Sequence, residues 1–307
     1  MAEVEQLVDA SLQTDQGRVR SNNQDFVAWR EPSDAEDEQK QGWLYILADG
    51  AGGMDAGEVA SRYATERTLH HYLEHAELDW GPRLQTAMQA ANADLREMSA
   101  RHEGNNRMAT TMVAVVIVDH RAHIANVGDS RAYFWRDGAL SQVTKDQSLV
   151  AQLLDEGAIT AEEAAVHPRR NVILFSLGSE RTPKIDLFEL PLEPNDRLLL
   201  CSDGLTRHVS DDEIETIVGQ QTAADATETL ISLANERGGQ DNISVGVLHF
   251  QPSRRSSRVV PASRQSKREP AAEKLSPGNR LLLTAYTIFL ALVQTVLMVL
   301  IWLQLQF

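Results

Sequence analysis

The stretch MVAVVIVDHRAHIANVGDSRAYFWRDGA, residues 112–139, contains three apolar segments separated by loops of three residues or fewer. The segments have the length and the β-branched and aromatic content of strands: 112–118, 122–127 and 131–136. A parallel crossover needs a dozen or more residues. The short loops, GDS at 128–130 and Asp137-Gly138, therefore predict antiparallel hairpins between consecutive strands.

Outward from this stretch, groups of strands alternate with pairs of helices. Further strands are predicted at 43–48, 197–201 and 243–250, and helices at 57–76, 82–102, 146–156, 211–218 and 223–237. Ser210 with Glu213 forms a capping box before one helix, and Gly238 is a stop signal after another. The acidic run EPSDAEDE (31–38) is interpreted as a solvated loop. This grouping favours antiparallel sheets covered by helices over a parallel doubly wound sheet.

Charge is distributed unevenly along the 307-residue chain, whose net charge is −15. Residues 1–250 carry 21 basic and 42 acidic groups, and such an acidic domain repels nucleic acid, so we expect no nucleic-acid partner. The one cysteine excludes an internal disulfide framework and is typical of a reducing compartment. The polar N-terminal segment is unlike a secretory signal.

The segment LLLTAYTIFLALVQTVLMVLIWL, residues 281–303, has 23 residues without a charge, proline or glycine. A helix of this length spans about 34 Å, enough to cross the hydrocarbon core of a membrane. Residues 251–280 before it carry eight Lys or Arg and two acids, which favours the cytoplasmic side for the preceding domain. The sequence therefore predicts a domain at 1–250, a basic Ser/Pro/Arg-rich linker at 251–280 and a single transmembrane helix at 281–303 in the cytoplasmic membrane. A buried helix of a soluble domain is the alternative.

Aspartates occur at the ends of the apolar strands, each close to a Gly or Asn. They are Asp25, Asp49, Asp129, Asp203 and Asp241. Turn chemistry alone accounts for one or two such positions. Several carboxylates at one rim would repel each other unless cations lay between them. Because oxygen-only ligand sets select hard cations, this pattern predicts a Mg²⁺ or Mn²⁺ site.

Six motifs follow one another along this domain: RSNNQD (20–25), ADGAGG (48–53), GEVAS (57–61), NVGDSRAY (126–133), CSDGLT (201–206) and GGQDNISV (238–245). In order and spacing they resemble the motifs of bacterial metal-dependent type 2C protein serine/threonine phosphatases. Six ordered motifs are far more specific than any one of them. The resemblance covers roughly residues 10–250. It implies an α+β fold, a β-sandwich of two antiparallel sheets flanked by helices in the order α-β-β-α.

The resemblance also implies a set of metal ligands. Asp49 would bridge two ions, and the carbonyl of Gly50 would bind the second of them. Asp203 and Asp241 would bind the first ion, and Asp129 would bind a third, weaker one. The implied cofactors are therefore two Mn²⁺ or Mg²⁺ ions and a third at a weaker site.

Two further roles follow from the resemblance. Arg20 would clamp the phosphate, a task that suits a planar guanidinium, and Asp25 would hold a metal-bound water. A water between two cations loses its proton near neutral pH and attacks phosphorus in line. The implied partners are phosphorylated protein substrates and a cognate Ser/Thr kinase whose work the enzyme reverses.

The sequence departs from the family pattern at two places. Ala51 occupies the position where animal members carry a histidine proposed to protonate the leaving group, so the general acid is unassigned. The flap segment HPRRNV (167–172) continues ILFSLG, whereas relatives continue Thr-Arg-Ala-Leu-Gly. Leu174 and Phe175 therefore lie near the expected arginine, and substrate contacts are predicted to differ there.

Two alternatives compete with a metal-dependent hydrolase. In CSDGLTR (201–207), Cys201 and Arg207 enclose five residues, the spacing of cysteine-dependent phosphatases. That hypothesis leaves the other five motifs without a role, and Cys201 is better interpreted as a small buried core residue. The second alternative is a pseudophosphatase that binds or scaffolds phosphoproteins at the membrane without turnover.

Overall fold

The computed structural model describes residues 7–251 except 53–55, 77–78 and 102–107. The chain divides into two compact units, Met1–Ser256 and Ser257–Phe307, and all described residues belong to the first. Within these ranges no helix is both long and apolar enough to cross a membrane. The predicted linker beyond Gln251 and the predicted transmembrane helix at 281–303 lie outside the described residues, so both remain predictions.

The strands of the described chain are β1 (Val8–Asp15), β2 (Asp25–Arg30), β3 (Trp43–Ala51), β4 (Ala109–Thr110), β5 (Met112–Val118), β6 (Arg121–Val127), β7 (Arg131–Arg136), β8 (Ala139–Gln142), β9 (Asp186–Pro191), β10 (Arg197–Cys201) and β11 (Ile243–Phe250). The helices are α1 (Ala35–Gln41), α2 (Ala56–Glu74), α3 (Trp80–Arg101), α4 (Leu149–Asp155), α5 (Ala161–Ala165), α6 (Asp203–Thr206), α7 (Asp211–Gln220) and α8 (Ala223–Glu236). The predicted helices and strands all occur, and their bounds differ by at most three residues.

The strands form two sheets in which every pair is antiparallel, as predicted. One sheet has the order β1-β11-β10-β7-β8, and the other has the order β2-β3-β5-β6-β9 with the short β4 pairing with β3. Strands β1, β2, β4, β8 and β9 were not predicted, because they are short or their apolar residues are few or bounded by charges.

Both faces of β3 are buried, which explains its unbroken apolar run. Successive residues of a strand point to opposite faces. Leu44 and Ile46 pack against residues of α2 and α3, while Tyr45 and Leu47 pack against the other sheet. Three of the predicted layers, one of helices and the two sheets, therefore meet at β3.

Strand β10 repeats this arrangement in the second sheet. Leu198 and Leu200 point into the core between the sheets, whereas Leu199 and Cys201 pack with residues of α7 and α8. Each of these side chains is at most 1% exposed. Burial of a leucine side chain contributes about 1.5–3 kcal/mol, so the sheets and helices are held together mainly by these three apolar interfaces.

The prediction that GDS (128–130) closes a hairpin is wrong. Strand β6 pairs with β5 and β9, whereas β7 pairs with β8 and β10 in the other sheet. The chain therefore crosses between the sheets at Gly128, whose φ of 99° suits glycine. A Cβ there would lie 2.5 Å from Thr111 Cγ2, so the crossing also needs the absence of a side chain. The Asp137-Gly138 turn does close the predicted hairpin between β7 and β8.

The acidic run at 31–38 is also not wholly a loop. Asp34 caps α1 by accepting a hydrogen bond from the Asp37 backbone at 2.9 Å. Three acidic residues in the first turn interact favourably with the helix dipole. Arg30 donates to both oxygens of Asp37 at 2.7 and 2.9 Å, which anchors the helix to the end of β2. The capping box of Ser210 and Glu213 occurs as predicted.

Candidate active site

The structure brings the five sequence-predicted aspartates to one region of the fold. Asp25 begins β2, Asp49 lies near the end of β3, Asp129 occupies the crossing between the sheets, Asp203 begins α6 and Asp241 precedes β11. The negative charges of the other four all act on Asp49 and, together with its burial, hold the pKa of that carboxyl well above its usual range. The sequence prediction that these carboxylates cluster is therefore supported by their placement.

Asp25 is held in place by hydroxyl groups of the neighbouring sheet. Its Oδ2 accepts hydrogen bonds from Ser202 Oγ at 2.8 Å and Ser244 Oγ at 2.7 Å. Its Oδ1 is buried and has no hydrogen-bond partner among the described residues. Burial raises the pKa of Asp25 to about 7; the two serine hydroxyls oppose this shift, while the charges of Asp203 and Asp241 add to it. Ser202 and Ser244 were missed from the sequence because serine inside a strand motif gives no distinctive signal.

The backbone around Asp49 is fixed by two buried threonines. Thr110 Oγ1 donates to the Asp49 carbonyl at 2.8 Å, and the Thr111 backbone donates to the same oxygen at 2.9 Å. Thr111 Oγ1 also lies 2.7 Å from Ser130 Oγ, next to Asp129. The two threonines thus connect the end of β3 to the crossing between the sheets.

Gly50 lies where three segments of backbone meet. Its N–H donates to the Gln24 carbonyl at 3.0 Å. A Cβ at position 50 would lie 2.0 Å from Gly57 O and 2.6 Å from Gln24 O, so a side chain cannot be accommodated without moving α2. The glycine of the ADG motif is therefore required by close backbone approach.

Two arginines hold the carboxylates at the exposed side of the cluster. Arg20 binds Asp241 with both ends of its fork, at 2.8 Å from Nε to Oδ1 and 2.9 Å from Nη2 to Oδ2. Arg207 donates from Nη1 to Asp241 Oδ2 at 3.1 Å and from Nη2 to Asp203 Oδ2. The sequence prediction placed Arg20 at the phosphate, but it assigned Arg207 only to the rejected thiol mechanism. Its spacing of four residues from Asp203 was the available signal, because residues four apart meet on a helical turn such as α6.

Asn242 connects the loop that carries Arg20 to the start of β11. Its Nδ2 donates to the carbonyls of Gln16 and Asn22, both at 2.9 Å, and its Oδ1 accepts from the Gln24 backbone at 2.9 Å. The side chain is 4% exposed, so these bonds are shielded from water. Asn242 therefore sets the position of Arg20 relative to Asp241.

Asp129 is 8% exposed and lies on the same side as Asp203. Burial, with the charges of Asp203 and Asp146, raises its pKa to about 7. Asp146 itself is bound by Arg131 through Nε at 2.9 Å and Nη2 at 2.7 Å. Among the described residues Asp129 forms no ion pair, although the charge of Arg207 partly opposes the shift of its pKa.

The donor set fits a hard divalent cation. Within the described chain, no three Asp, Glu, His or Cys side chains already converge to hold one ion. Arg20 and Arg207 form ion pairs with Asp241 and Asp203. Buried oxygens without a donor nevertheless remain at Asp25 Oδ1 and Asp203 Oδ1. Such acceptors cost free energy until something satisfies them, and an oxygen-binding cation does so.

A cleft of about 600 Å³ extends from Asp129 and Asp203 to the segment that follows α4. Its walls are formed by residues 146–150, by α5 and its C-terminal neighbours, and by the flap at Arg170 and Asn171. A cleft of this volume accommodates a ligand considerably larger than a phosphate group.

The two departures from the family pattern have structural explanations. Ala51 pairs with Ala109 at the end of β3, and its methyl group supplies no proton donor. Phe175 packs against the core between the sheet and α2–α3, and the Leu174 backbone donates to the Gln147 carbonyl at 2.8 Å. The position expected to carry an arginine thus anchors the flap by apolar burial.

Cys201 does not reach the cleft. Its side chain is 0% exposed within the core formed with α7 and α8, and burial raises the pKa of its thiol to about 12. A nucleophilic cysteine needs an accessible thiolate in an electropositive environment. The interpretation of Cys201 as a core residue is supported, and the thiol mechanism is excluded.

Comparison with known proteins agrees with this geometry. The family described as "Protein phosphatase 2C" matches residues 14–244. The serine/threonine phosphatase stp of Listeria monocytogenes serotype 4b is 38% identical over 241 residues, which cover 77% of this chain and 93% of that protein.

Solved structures are similar over the same region. The Mycobacterium tuberculosis serine/threonine phosphatase PstP/Ppp has a TM-score of 0.69 at 36% identity, covering 80% of this chain and 99% of that one. A structure described as the catalytic domain of PstP in complex with two manganese ions has a TM-score of 0.66 at 36% identity, with the same coverage.

Proposed function

The chain belongs to the protein phosphatase 2C family, and we propose that it is an active enzyme that hydrolyses phosphoserine and phosphothreonine in proteins. The observation that carries this proposal is the complete carboxylate cluster beside Arg20. Asp25, Asp49, Asp203 and Asp241 all occupy it, and two of them present buried oxygens without donors. A pseudophosphatase would be expected to have lost one or more of these ligands, which argues for turnover.

The proposed ligands follow the sequence interpretation. Asp49 and the Gly50 carbonyl would hold one ion, and Asp203 and Asp241 with Asp49 the other. Asp129, with its buried carboxyl on the Asp203 side, would hold a third ion more weakly. Mn²⁺ or Mg²⁺ is the proposed cofactor, in keeping with the oxygen-only ligand set and with the manganese in the PstP structure.

When bound, the cations supply Lewis acidity that activates a water and neutralises charge on the phosphate. Asp25, held by Ser202 and Ser244, would orient that water by accepting a hydrogen bond at Oδ1. Arg20 is 47% exposed and would turn its fork from Asp241 to two phosphate oxygens. Ala51 offers no proton, so a water molecule in the site would protonate the leaving alkoxide oxygen, which departs as the hydroxyl of serine or threonine.

Turnover of a phosphothreonine peptide by the full-length protein in detergent tests this proposal. We expect hydrolysis with Mn²⁺ or Mg²⁺, none after EDTA treatment, and recovery when the ion is restored. Binding of the peptide without release of phosphate under any of these conditions would support the scaffolding alternative instead. The substrates in the cell would be proteins that a cognate Ser/Thr kinase has phosphorylated.

We also propose that residues 281–303 anchor the enzyme in the cytoplasmic membrane, with 1–250 in the cytoplasm. Support comes from the 23 uncharged residues and from the eight basic residues in 251–280, which would contact anionic headgroups. An anchor would raise the effective concentration of the enzyme at membrane-bound substrates.

Membrane fractionation tests the anchor. We expect the full-length protein to resist extraction by high salt and by carbonate, whereas a chain ending at residue 280 should be extracted. Release of the full-length protein by salt alone would contradict a spanning helix and leave only electrostatic attachment.

A further inference from the structure

The cleft offers more than a phosphate site. Asp129 and Asp203 lie at one end, and residues of α5 together with Arg170 and Asn171 form the other. Since the proposed ions and the phosphate occupy the carboxylate end, the remaining volume is available to residues that flank the phosphoresidue.

Arginine is the cation that lines this cleft, at positions 131, 170 and 207. Arg131 is neutralised by Asp146, and its Nη1 donates to Tyr133 at 2.8 Å. Arg207 is neutralised by Asp203 and Asp241. Arg170 is exposed, and among the described residues its side chain makes no ion pair or hydrogen bond.

The backbone holds Arg170 at the cleft rather than leaving it on a long loop. The Arg170 N–H donates to the His167 carbonyl at 3.1 Å, and the Val172 N–H donates to the Arg169 carbonyl at 3.2 Å. One residue later, Ile173 forms a β-bridge with Ser148, which itself lines the cleft. The turn that carries Arg170 is therefore anchored by this bridge, and it places the Arg170 side chain at the wall of the cleft.

The cleft belongs to an acidic domain, since residues 1–250 carry 42 acidic groups against 21 basic ones. The repulsion that this excess exerts on an acidic peptide is screened beyond about 8 Å at physiological ionic strength. Within contact distance, the planar fork of an arginine binds a carboxylate or phosphate through two parallel hydrogen bonds.

We propose that Arg170 is a specificity residue that binds a second anionic group of the substrate, a carboxylate or a second phosphate within a few residues of the phosphoresidue. This inference rests on the proposed function, because it takes the phosphoresidue to occupy the carboxylate end of the cleft. The preferred substrates are therefore phosphopeptides with acidic or multiply phosphorylated surroundings.

Peptide binding tests this assignment without requiring turnover. Each peptide carries a non-hydrolysable phosphonate in place of phosphothreonine. At each of the three positions on either side of it, one residue is varied in turn among Glu, a second phosphonate, Gln and Lys. Dissociation constants are measured with Mn²⁺ by fluorescence anisotropy on the full-length protein in detergent. Glu or the second phosphonate should bind about two- to fivefold more tightly than Gln at one position or more, as expected for an exposed ion pair.

The variant Arg170→Gln should abolish this preference, whereas the adjacent Arg169→Gln should retain it. Tighter binding of the Glu peptide would show that Arg170 binds a carboxylate. Tighter binding of the second-phosphonate peptide alone would show that it binds a second phosphate. Equal binding of Glu, phosphonate, Gln and Lys peptides at every position, or a preference that persists in Arg170→Gln, would overturn the assignment. Hydrolysis of the matching phosphothreonine peptides, measured separately, reports on the proposed function itself.

Discussion

Asp25 and Asp49 lie directly opposite each other in the antiparallel register of β2 and β3. Side chains of opposing residues lie on the same face of a sheet with Cβ atoms about 4.5–5.5 Å apart, and like charges there are destabilising. Within the described part of the chain, no hydrogen-bond donor reaches Asp25 Oδ1 to offset this repulsion. A cation bound near the pair would therefore be favoured. Because it would relieve this repulsion, it should also raise the stability of the folded protein.

Added Mn²⁺ should raise the midpoint of thermal unfolding of the full-length protein. A ligand that binds only the folded state contributes about 2.7 kcal/mol at a hundredfold excess over its dissociation constant. In Asp49→Asn this stabilisation should be much smaller, because the proposed bridging carboxylate is removed. Differential scanning fluorimetry with and without Mn²⁺ makes the comparison, and an equal shift in both proteins would contradict the role of Asp49.

Asp203 and Cys201 should respond to substitution in opposite ways. Asp203→Asn should lower kcat/KM by several orders of magnitude, because one proposed ion loses a ligand. Cys201→Ser should keep most of the activity and lose some stability, since a buried hydroxyl replaces a thiol in an apolar core. Hydrolysis of p-nitrophenyl phosphate with Mn²⁺ measures both. A folded but inactive Cys201→Ser protein would restore the thiol mechanism.

Arg207→Gln should tighten the binding of Mn²⁺. In the present structure Arg207 occupies Asp203 and Asp241, so an incoming ion must displace it. Each of the two partly exposed ion pairs that the substitution removes corresponds to about a two- to fivefold lower dissociation constant. Isothermal titration calorimetry gives the value, with Arg136→Gln as control because Arg136 pairs with the distant Asp196. Weaker Mn²⁺ binding in Arg207→Gln would show that Arg207 supports the site instead.

Asn242→Ala should raise KM more than it lowers kcat, because the loop that carries Arg20 loses three hydrogen bonds. Buried partners left unsatisfied cost about 1–3 kcal/mol, so the free energy of unfolding should also fall. Asn92→Ala is the matched control: its amide makes three comparable bonds, to Glu180 O, Arg181 O and Gly178 N. Urea unfolding should show similar losses in both variants, and steady-state kinetics should show the KM change in Asn242→Ala alone.

Glu213 should stabilise the fold in a defined pH range. Hydrogen bonds from Arg237 and from Ser210 lower its pKa to about 2, from an ordinary value of 4.5. A depressed pKa contributes stability that is fully present above pH 4.5 and is lost as pH falls towards 2. The difference in unfolding free energy between wild type and Glu213→Gln should therefore be constant at pH 6–7 and shrink below pH 4.5.

Urea unfolding at a series of pH values measures this difference. Glu228→Gln is the control, because Glu228 is exposed on α8 and makes no ion pair within the described chain. A Glu213→Gln difference that grew on acidification would contradict the assignment.

Local patterns in the sequence were sufficient to predict the main strands and helices and to identify the candidate metal ligands. The unbroken run of β3 required a strand covered on both faces, and Asp49 and Asp203 were identifiable because each directly follows such a run. Short loops after β5 and β7 correctly indicated antiparallel pairing. These features depend on residues that are near each other in the chain, so periodicity and loop length report on them.

The partners of those residues were decided by the tertiary structure. GDS has the length of a hairpin loop, yet the chain changes sheets there because β6 is already paired on both edges, with β5 and β9. Asn242 and Arg207 acquire their roles only through contacts with the loop of Arg20 and with Asp241. The sequence by itself determined which carboxylates are present and that each lies at or next to one end of a strand. Only the pairing of β2 with β3 within one sheet placed Asp25 opposite Asp49, and only the folding of the chain around the cleft left Arg170 without an ion pair in the described chain. Neither outcome has a local signal in the sequence, because each depends on which distant segments of the chain meet.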